Sequence, residues 1–240
     1  MAPTKAKALR AAFPRTLPIM AGYLFLSLAW GMLLREKGFG VGWALMISGL
    51  VYAGSMQFVL IGLMTAPFSP ITTLLMTLMV NARHLFYGLT MLEPYGKCRR
   101  WRPYLIFSLT DETFSLVCDG NIPQGVAAED YYFVVSALDQ LYWVVGSVFG
   151  VLLGQLLPWD LTGIDFAMTA LFVVIVVEQW EAAGKSGKPW FQAHLPALLG
   201  FALTIVSLLL AGSERFLLLS MGMMLVCFYL QFNGKGRAKA

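Results

Sequence analysis

The sequence predicts an all-α, polytopic helical membrane protein with about seven membrane segments, within a range of six to eight. Of its 240 residues, 58% are hydrophobic and only 12% are charged. A typical soluble domain is about 45–50% apolar and about 25% charged. The charged residues also fall in clusters, and these separate long, solidly apolar runs of the length that helical membrane spans require.

Eight apolar segments follow one another along the chain. They comprise residues 17–34, 43–64, 70–92, 104–120, 132–157, 164–180, 195–212 and 216–233. A full crossing needs about 20 residues, so the fourth and sixth segments are short enough to be partial crossings. We expect one transmembrane domain over 17–233. It would follow a basic cytoplasmic segment at 1–16, which could form a short helix on the membrane surface, and precede a basic cytoplasmic tail at 234–240.

The basic residues give conflicting signals about topology. Positive charge favours the cytoplasmic side, which suits both termini and the loop at 181–194. Eight full crossings would place the most basic loop, 93–103, outside. Either the charge rule fails here, or one segment between 43 and 92 and the segment 104–120 each enter and leave by the same side. We favour the second solution, with six full spans and two re-entrant or broken segments, because broken helices line the cavities of transporters.

A weak internal repeat also favours a transporter. YLFLSLAWG (23–31) and YWVVGSVFG (142–150) share Tyr and Gly at equal spacing. Residues 46–57 and 168–179 share Met, Val and Gln at one common offset. Many transporter folds are built from two such repeats. The sequence leaves the relative orientation of the two halves open.

The stretch NARHLFYGL (81–89) brings polar residues to the end of an apolar run. On a helix, Asn81, His84 and Leu85 share one face, and Arg83 and Tyr87 share a neighbouring one. An arginine at the centre of a membrane helix costs about 2.5–3.5 kcal/mol. Either these side chains handle a polar substrate and a proton, or they lie near the interface with Arg83 reaching towards the lipid headgroups.

A second polar block, TDETF (110–114), interrupts another apolar run. Adjacent residues on a helix point about 100° apart, so Asp111 and Glu112 need not share a partner. One of them could pair with Arg83, and the other could bind a proton in a dry site. The alternative is an interfacial helix end with an acidic first turn. We favour the functional interpretation.

Two further groups of polar residues lie within apolar segments. In YAGSMQF (52–58), packing between helices is the commoner explanation for Gly54 and Ser55, whereas a buried Gln57 could bridge helices or bind a ligand.

Asp139 and Gln140 are typical of a helix start, and we expect them to open the span 132–157. Asp165 would open the next span. The helix dipole favours negative charge at such N-terminal positions.

Several functional classes are excluded or disfavoured. AAGKSG (182–187) lacks the earlier glycine of a phosphate-binding loop, because Gln179 occupies that position. Only two histidines are present, without a zinc-protease motif, and the three cysteines lack metal-ligand spacing. The basic clusters lie between hydrophobic spans and are therefore topology signals, not a nucleic-acid interface. We expect no enzyme activity, no metal and no cofactor.

Read in order, the motifs FPRTLPIMAGYLFLSLAWG, MISGLVYAGSMQF, NARHLFYGL, LTDETF, YWVVGSVFG and GIDFAMTALF resemble the AzlC-type branched-chain amino-acid exporter family, over residues 13–180. The resemblance implies a bacterial inner-membrane exporter of leucine, isoleucine, valine and methionine. It also implies the large subunit of a two-component system with a small hydrophobic AzlD-type partner, driven by the proton motive force. Residues 195–240 match by hydropathy only.

The expected roles follow from the chemistry of an amino-acid substrate. A zwitterion needs a cation or a helix N-terminus for its carboxylate and an acceptor for its ammonium group. The expected substrate-binding residues are Asn81, Arg83, Gln57, Tyr23, Tyr52 and Tyr87, and the expected proton-coupling residues are Asp111, Glu112 and His84. A passive channel or a non-transporting assembly subunit is the alternative function.

Overall fold

The computed structural model is helical throughout the residues that it describes, which are 3–156, 166–185, 187 and 189–237; no strand occurs among them. The helices are α1 (Pro3–Glu36), α2 (Val41–Met46, continued by a π-helical turn at Ile47–Val51), α3 (Gly54–Thr65), α4 (Pro70–Asn81), α5 (Arg83–Gly96), α6 (Arg102–Phe107), α7 (Asp111–Val117), α8 (Ala128–Leu156), α9 (Phe166–Gly184) and α10 (Trp190–Arg237). The chain divides into two compact units at residue 168.

Helix α1 contains both the expected basic segment and the first apolar segment. It runs without interruption from Pro3 to Glu36, so the boundary expected at residue 16 falls inside a helix. Ala8 and Ala12 are fully buried in the core instead of lying on a surface. Alanine-rich sequence favours helix at this point, and the helix ends before Gly38, whose φ of 87° suits glycine.

Helices α1 and α8 form the central pair of the first unit and carry the two copies of the first repeat. A Cβ atom at Gly150 would clash with Gly31 and with the backbone of residue 28, and one at Gly146 would clash with Ser27. Gly154 likewise faces Arg35. Because contact positions increase together along both helices, α1 and α8 run in the same direction, with the repeat residues in equivalent positions.

The segment predicted at 43–64 is broken and folds back on itself. The π-helical turn ends at Tyr52, which has a left-handed φ of 42°, and α3 begins two residues later. The Gln57 side chain then donates to the carbonyl of Ile47 across the break (3.2 Å). The two halves of this segment therefore lie side by side, with Tyr52 and Ala53 at the tip.

The segment predicted at 104–120 is broken in the same way, between α6 and α7. Three contacts trace its path along α1: the Trp101 ring lies 4.8 Å from Lys5 Nζ, Thr110 Oγ1 lies 2.8 Å from Tyr23 OH, and the Asn121 carbonyl lies 2.7 Å from Arg15 Nη1. At 1.5 Å per residue, the chain advances about 27 Å along α1 and then returns by about 12 Å. This segment also doubles back.

The basic loop 93–103 lies at the end of the unit where α1 begins. Lys5 stacks on Trp101, and the backbone N–H groups of Arg100 and Trp101 donate to the Glu129 carboxylate at the start of α8 (2.6 and 3.0 Å). The two most basic parts of the first unit are therefore neighbours. A simple alternation of full crossings would have separated them.

Helices α4 and α5 divide the predicted segment 70–92 at Ala82. Ser69 caps α4 with Pro70 in its first turn, a combination typical of a helix start. No residue of α4 is buried.

The second unit contains most of α9 and all of α10. Gly212, with φ of 69° and ψ of 176°, interrupts α10, as expected from the predicted segments 195–212 and 216–233. Three of the described helices are long and apolar enough to cross a membrane: Lys5–Glu36, Ala128–Leu156 and Trp190–Gly212.

Candidate functional site

A cavity of about 750 Å³ lies in the first unit, next to the backbone breaks. Its walls are mostly apolar, with a few polar groups, which is typical of small-molecule sites. Residues from all three breaks contribute to its lining: Tyr52 and Ala53 from the first, Asn81 and His84 from either side of Ala82, and Phe107 and Leu109 from the third. The tips of the two folded-back segments therefore meet here, with the Tyr52 and Phe107 ring centroids 6.3 Å apart.

An ion pair between Arg83 and Asp111 joins the first residues of α5 and α7. Arg83 Nη1 lies 2.5 Å from Asp111 Oδ2, and Arg83 Nη2 donates to Ser55 Oγ at 2.7 Å. The side chains are only 26% and 19% exposed. This confirms the expected pairing, and Arg83 therefore points into the protein. Two atoms of the pair, Arg83 Nε and Asp111 Oδ1, are buried without a hydrogen bond.

The block 81–87 presents the two faces expected from helical geometry. Asn81, His84 and Leu85 line the cavity. Arg83 and Tyr87 both face α7, where Tyr87 stacks on Phe114 with ring centroids 4.6 Å apart. Asn81 Oδ1 is buried without a hydrogen bond.

Glu112 has partners of its own, as expected for the neighbour of Asp111. Tyr23 OH lies 2.7 Å from Glu112 Oε2 and 2.8 Å from Thr110 Oγ1. Thr110 caps α7 by accepting from the backbone N–H of Thr113, which places both acids in the first turn of the helix. The interpretation as an acidic helix start is therefore also correct, but this start is packed inside the protein.

Asp139 and Gln140 do not open a helix, so this prediction was wrong. Helix α8 begins at Ala128, and Glu129 and Asp130 give it an acidic first turn, which the helix dipole favours. Asp139 is completely buried and accepts from Thr113 Oγ1 at 2.8 Å. Gln140 bridges two other elements, accepting from Tyr104 OH (2.7 Å) and donating to the Gly49 carbonyl (3.0 Å). The third acid of that group, Asp165, lies outside the described residues.

Gln57 is buried at an interhelical contact and does not line the cavity. Its side-chain oxygen accepts from Trp143 Nε1 (2.9 Å), and its carbonyl accepts from Trp30 Nε1 (2.9 Å). This geometry supports the helix-bridging alternative. Gly54 packs against the same Trp143 ring, 3.3 Å from where a Cβ would lie.

Four polar residues of the site were not predicted from the sequence: Ser55, Thr110, Thr113 and Asp139. Ser55 had been attributed to packing. The spacing of Thr110 and Thr113 is that of a helix cap and its partner, which the TDET stretch could have indicated. No local signal places Asp139 beside Thr113, because that contact depends on how α7 packs on α8. Among the described residues, no group of three or more His, Cys, Asp or Glu side chains could hold a metal ion.

Comparison with known proteins places this site in a family. The sequence model of the family described as AzlC protein matches residues 18–157. This range contains the ion pair, Glu112, Asp139 and the broken segments. The chain belongs to the AzlC family. No solved structure matches it.

Individual relatives are similar to the chain over most of their length. The branched-chain amino acid transport protein AzlC of Bacillus subtilis (strain 168) is 41% identical over 214 residues, which are 89% of this chain and 81% of the relative. An uncharacterized membrane protein of Haemophilus influenzae is 44% identical, covering 88% and 84%. The inner membrane protein YgaZ of Escherichia coli (strain K12) is 24% identical, covering 69% and 71%. Together with the three long apolar helices, these relatives identify the chain as a helical membrane protein.

Proposed function

We propose that the chain is the large subunit of a two-component secondary transporter that exports leucine, isoleucine, valine and methionine, driven by the proton motive force. Membership of the AzlC family and the similarity to the branched-chain amino acid transport protein of Bacillus support amino-acid transport. The observation that carries the proposal is the cavity at three backbone breaks, lined by Asn81 and His84. Arg83, which pairs with Asp111, lies on the neighbouring helix face and is not part of the cavity wall.

A zwitterionic amino acid is complementary to the Arg83–Asp111 pair. In a conformation in which the cavity reaches the ion pair, its carboxylate would accept from Arg83 and its ammonium group would donate to Asp111; Arg83 Nε and Asp111 Oδ1 are the atoms of the pair that are buried without a hydrogen bond. Asn81 Oδ1 is a further acceptor for the ammonium group. Buried polar atoms without partners are costly, so a substrate that satisfies them gains that free energy on binding. The substrate side chain would lie in the apolar cavity against Tyr52.

Proton coupling is assigned to acidic and imidazole groups near this pair. Glu112 lies next to Asp111 in sequence and accepts a hydrogen bond from Tyr23 OH. His84 lines the cavity and is bonded through Nδ1 to the carbonyl of Asn81 (3.2 Å). Both groups can therefore gain or lose a proton next to bound substrate. Tyr87 packs against the same region through Phe114.

We further propose that both folded-back segments are re-entrant and that the end carrying Lys5 and loop 93–103 is cytoplasmic. Two basic regions at one end of the unit support this orientation. The location would be the inner membrane of a bacterium, in line with the name of the Escherichia relative. The small AzlD-type subunit is the expected partner.

The test is efflux of labelled leucine and methionine from preloaded cells. Cells with the chain and its small partner are compared with cells that have the partner alone, with and without a proton uncoupler. We expect chain-dependent, saturable efflux that the uncoupler abolishes. Efflux that is unsaturable and indifferent to the uncoupler would indicate a passive channel.

Variants of the ion pair show whether this chain itself binds the substrate. Arg83→Lys keeps the charge but loses the planar fork, and we expect it to raise the KM for efflux. Lys97→Ala, in an exposed pair with Glu93, is the matched control and should transport normally. If Arg83→Lys and Asp111→Asn assemble with the partner and transport like the wild type, the chain is an assembly subunit and the proposal is wrong.

A further inference from the structure

A line of three hydroxyl groups connects the partly buried Glu112 carboxyl group with the completely buried Asp139 carboxyl group in the first unit. Glu112 Oε2 lies 2.7 Å from Tyr23 OH, which lies 2.8 Å from Thr110 Oγ1. Thr110 Oγ1 lies 3.1 Å from Thr113 Oγ1, which lies 2.8 Å from Asp139 Oδ2. All four separations are within hydrogen-bond range. The line begins at Glu112 on α7 and passes to Tyr23 on α1. It then returns through the capping residue Thr110 and Thr113 of α7 and ends at Asp139 on α8.

The number of hydrogens in this line does not match the number of contacts. A hydroxyl group supplies one hydrogen, and a carboxylate supplies none. Tyr23, Thr110 and Thr113 therefore bring three hydrogens to four oxygen–oxygen contacts. One additional proton, on either carboxyl group, makes all four contacts hydrogen bonds.

The surroundings of the line favour this extra proton. Asp139 and Thr113 are completely buried, and Tyr23 is only 4% exposed. Asp139 Oδ1 is buried without a hydrogen-bond partner. The nearby cation, Arg83, forms its ion pair with Asp111 and not with Asp139. A buried carboxylate without an ion-pair partner is unfavourable. Asp139 forms no ion pair among the described residues, whereas Glu112 also interacts electrostatically with Arg83.

Among the described residues, the groups that face Asp139 do not supply a counter-charge. The groups that interact with it electrostatically are an acid on α7 and tyrosines on α1, at the first break, on α5 and on α6: Glu112, Tyr23, Tyr52, Tyr95 and Tyr104. The tyrosines are neutral, and Glu112 is an acid. The hydroxyl of Tyr52 is itself buried without a hydrogen bond.

We propose that Glu112 and Asp139 share a single proton through Tyr23, Thr110 and Thr113, and that Asp139 is a proton-coupling residue of the transporter. The shared proton rests on geometry alone, whereas its use in coupling rests on the proposed function. Glu112 adjoins the substrate-binding pair through Asp111, so a change there on substrate binding would be passed to Asp139, two helices away.

The proton moves along the line by exchange between neighbouring oxygens, so the number of protons on the line stays the same. In one state, the Glu112 carboxyl donates to Tyr23, and each hydroxyl donates to the next until Thr113 donates to the Asp139 carboxylate. In the other state, each hydroxyl has passed its hydrogen to the next oxygen towards Asp139 and accepted one from the Glu112 side, so that Asp139 holds the proton and Glu112 is the carboxylate. Three O–H bonds break and re-form along the way, one carboxyl O–H is exchanged for another, and the net charge stays at −1.

Infrared spectroscopy of the purified chain tests the shared proton without transport. Deuterium exchange identifies the carbonyl band of a protonated carboxyl group. We expect a band in the wild type that disappears in both Asp139→Asn and Glu112→Gln, because an amide N–H replaces the missing donor at either end. No band in the wild type, or a partial loss in each variant as expected for two independent protons, would overturn the proposal.

Transport in liposomes containing the chain and its partner tests the coupling role. Thr113→Val removes the hydroxyl and keeps the shape, whereas Thr113→Ser keeps the hydroxyl. We expect Thr113→Val and Asp139→Asn to lose accumulation driven by a pH gradient but to keep substrate counterflow. Thr113→Ser and Ser147→Ala, a buried hydroxyl of α8 outside the line, should behave like the wild type.

Each result bears on a different claim. If gradient-driven accumulation and counterflow fall in parallel in Thr113→Val, the hydroxyl is structural and the coupling role is refuted. If Thr113→Val and Asp139→Asn accumulate substrate like the wild type, the role is refuted as well. If the wild type shows no gradient-driven transport, the proposed function fails, and the infrared result alone decides whether the proton is shared.

Discussion

Breaking the Arg83–Asp111 ion pair tests most directly whether these two side chains are paired inside the protein. Arg83→Met removes the cation and leaves Asp111 as a half-buried carboxylate without a partner. Loss of one member of a buried pair costs about 3–5 kcal/mol. The exposed fractions of 26% and 19% point to the lower end of that range. We therefore expect a loss of about 3 kcal/mol, part of which is the hydrogen bond to Ser55.

The double variant separates the energy of the ion pair from the other effects of each substitution. Replacing both partners with apolar residues, as Arg83→Met with Asp111→Leu, removes the unpaired charge and should return the stability to within about 1 kcal/mol of the wild type. The coupling energy between the two substitutions should exceed about 2 kcal/mol. Substrate binding should be lost in all three variants, because it needs both charges.

Thermal unfolding in detergent measures these differences. For a chain of this size, about 3 kcal/mol corresponds to a decrease in Tm of about 6–12 °C. The control is Lys97→Ala, which breaks an exposed pair and should leave Tm unchanged within error. If Arg83→Met behaves like this control, or if the two single effects simply add in the double variant, then Arg83 is not paired with Asp111 and the reasoning fails.

Three further predictions concern packing, topology and one polar residue. Gly31→Ala should lower Tm because the new Cβ would clash with the backbone of α8. The control Gly22→Ala has nothing within 4 Å of the new Cβ and should be neutral or stabilising by up to about 1 kcal/mol. Equal Tm values for the two variants would refute the close approach of α1 and α8 at Gly31. In a cysteine-free background, Lys97→Cys and Lys7→Cys should react with an impermeant maleimide from the same side of the membrane, and labelling from opposite sides would contradict the folded-back segments. Gln57→Leu should cost about 1–3 kcal/mol of stability with an unchanged KM for efflux, and an altered KM would identify this residue as a substrate ligand instead.

Much of the candidate site could be predicted from the sequence because membrane helices make polar residues conspicuous. A charge in an apolar run is costly, so Arg83, Asp111 and Glu112 stood out, and helical periodicity assigned Asn81 and His84 to one face. The same reasoning failed at Asp139. This acid precedes an apolar run, as a residue at a helix start does, and only the earlier start of α8 at Ala128 places it in the helix interior.

The sequence by itself determined the helical class, the approximate segments and the family, since composition and motif order are local properties of the chain. It also raised the conflict over loop 93–103. Only the tertiary structure decided that the two segments fold back, at Tyr52 and at Thr110, because contacts such as that between Thr110 and Tyr23 join residues far apart in the chain. The hydroxyl line from Glu112 to Asp139 has the same origin. Two of its members, at positions 23 and 139, are 116 residues apart in the chain. The members of the line meet only where α1, α7 and α8 pack together.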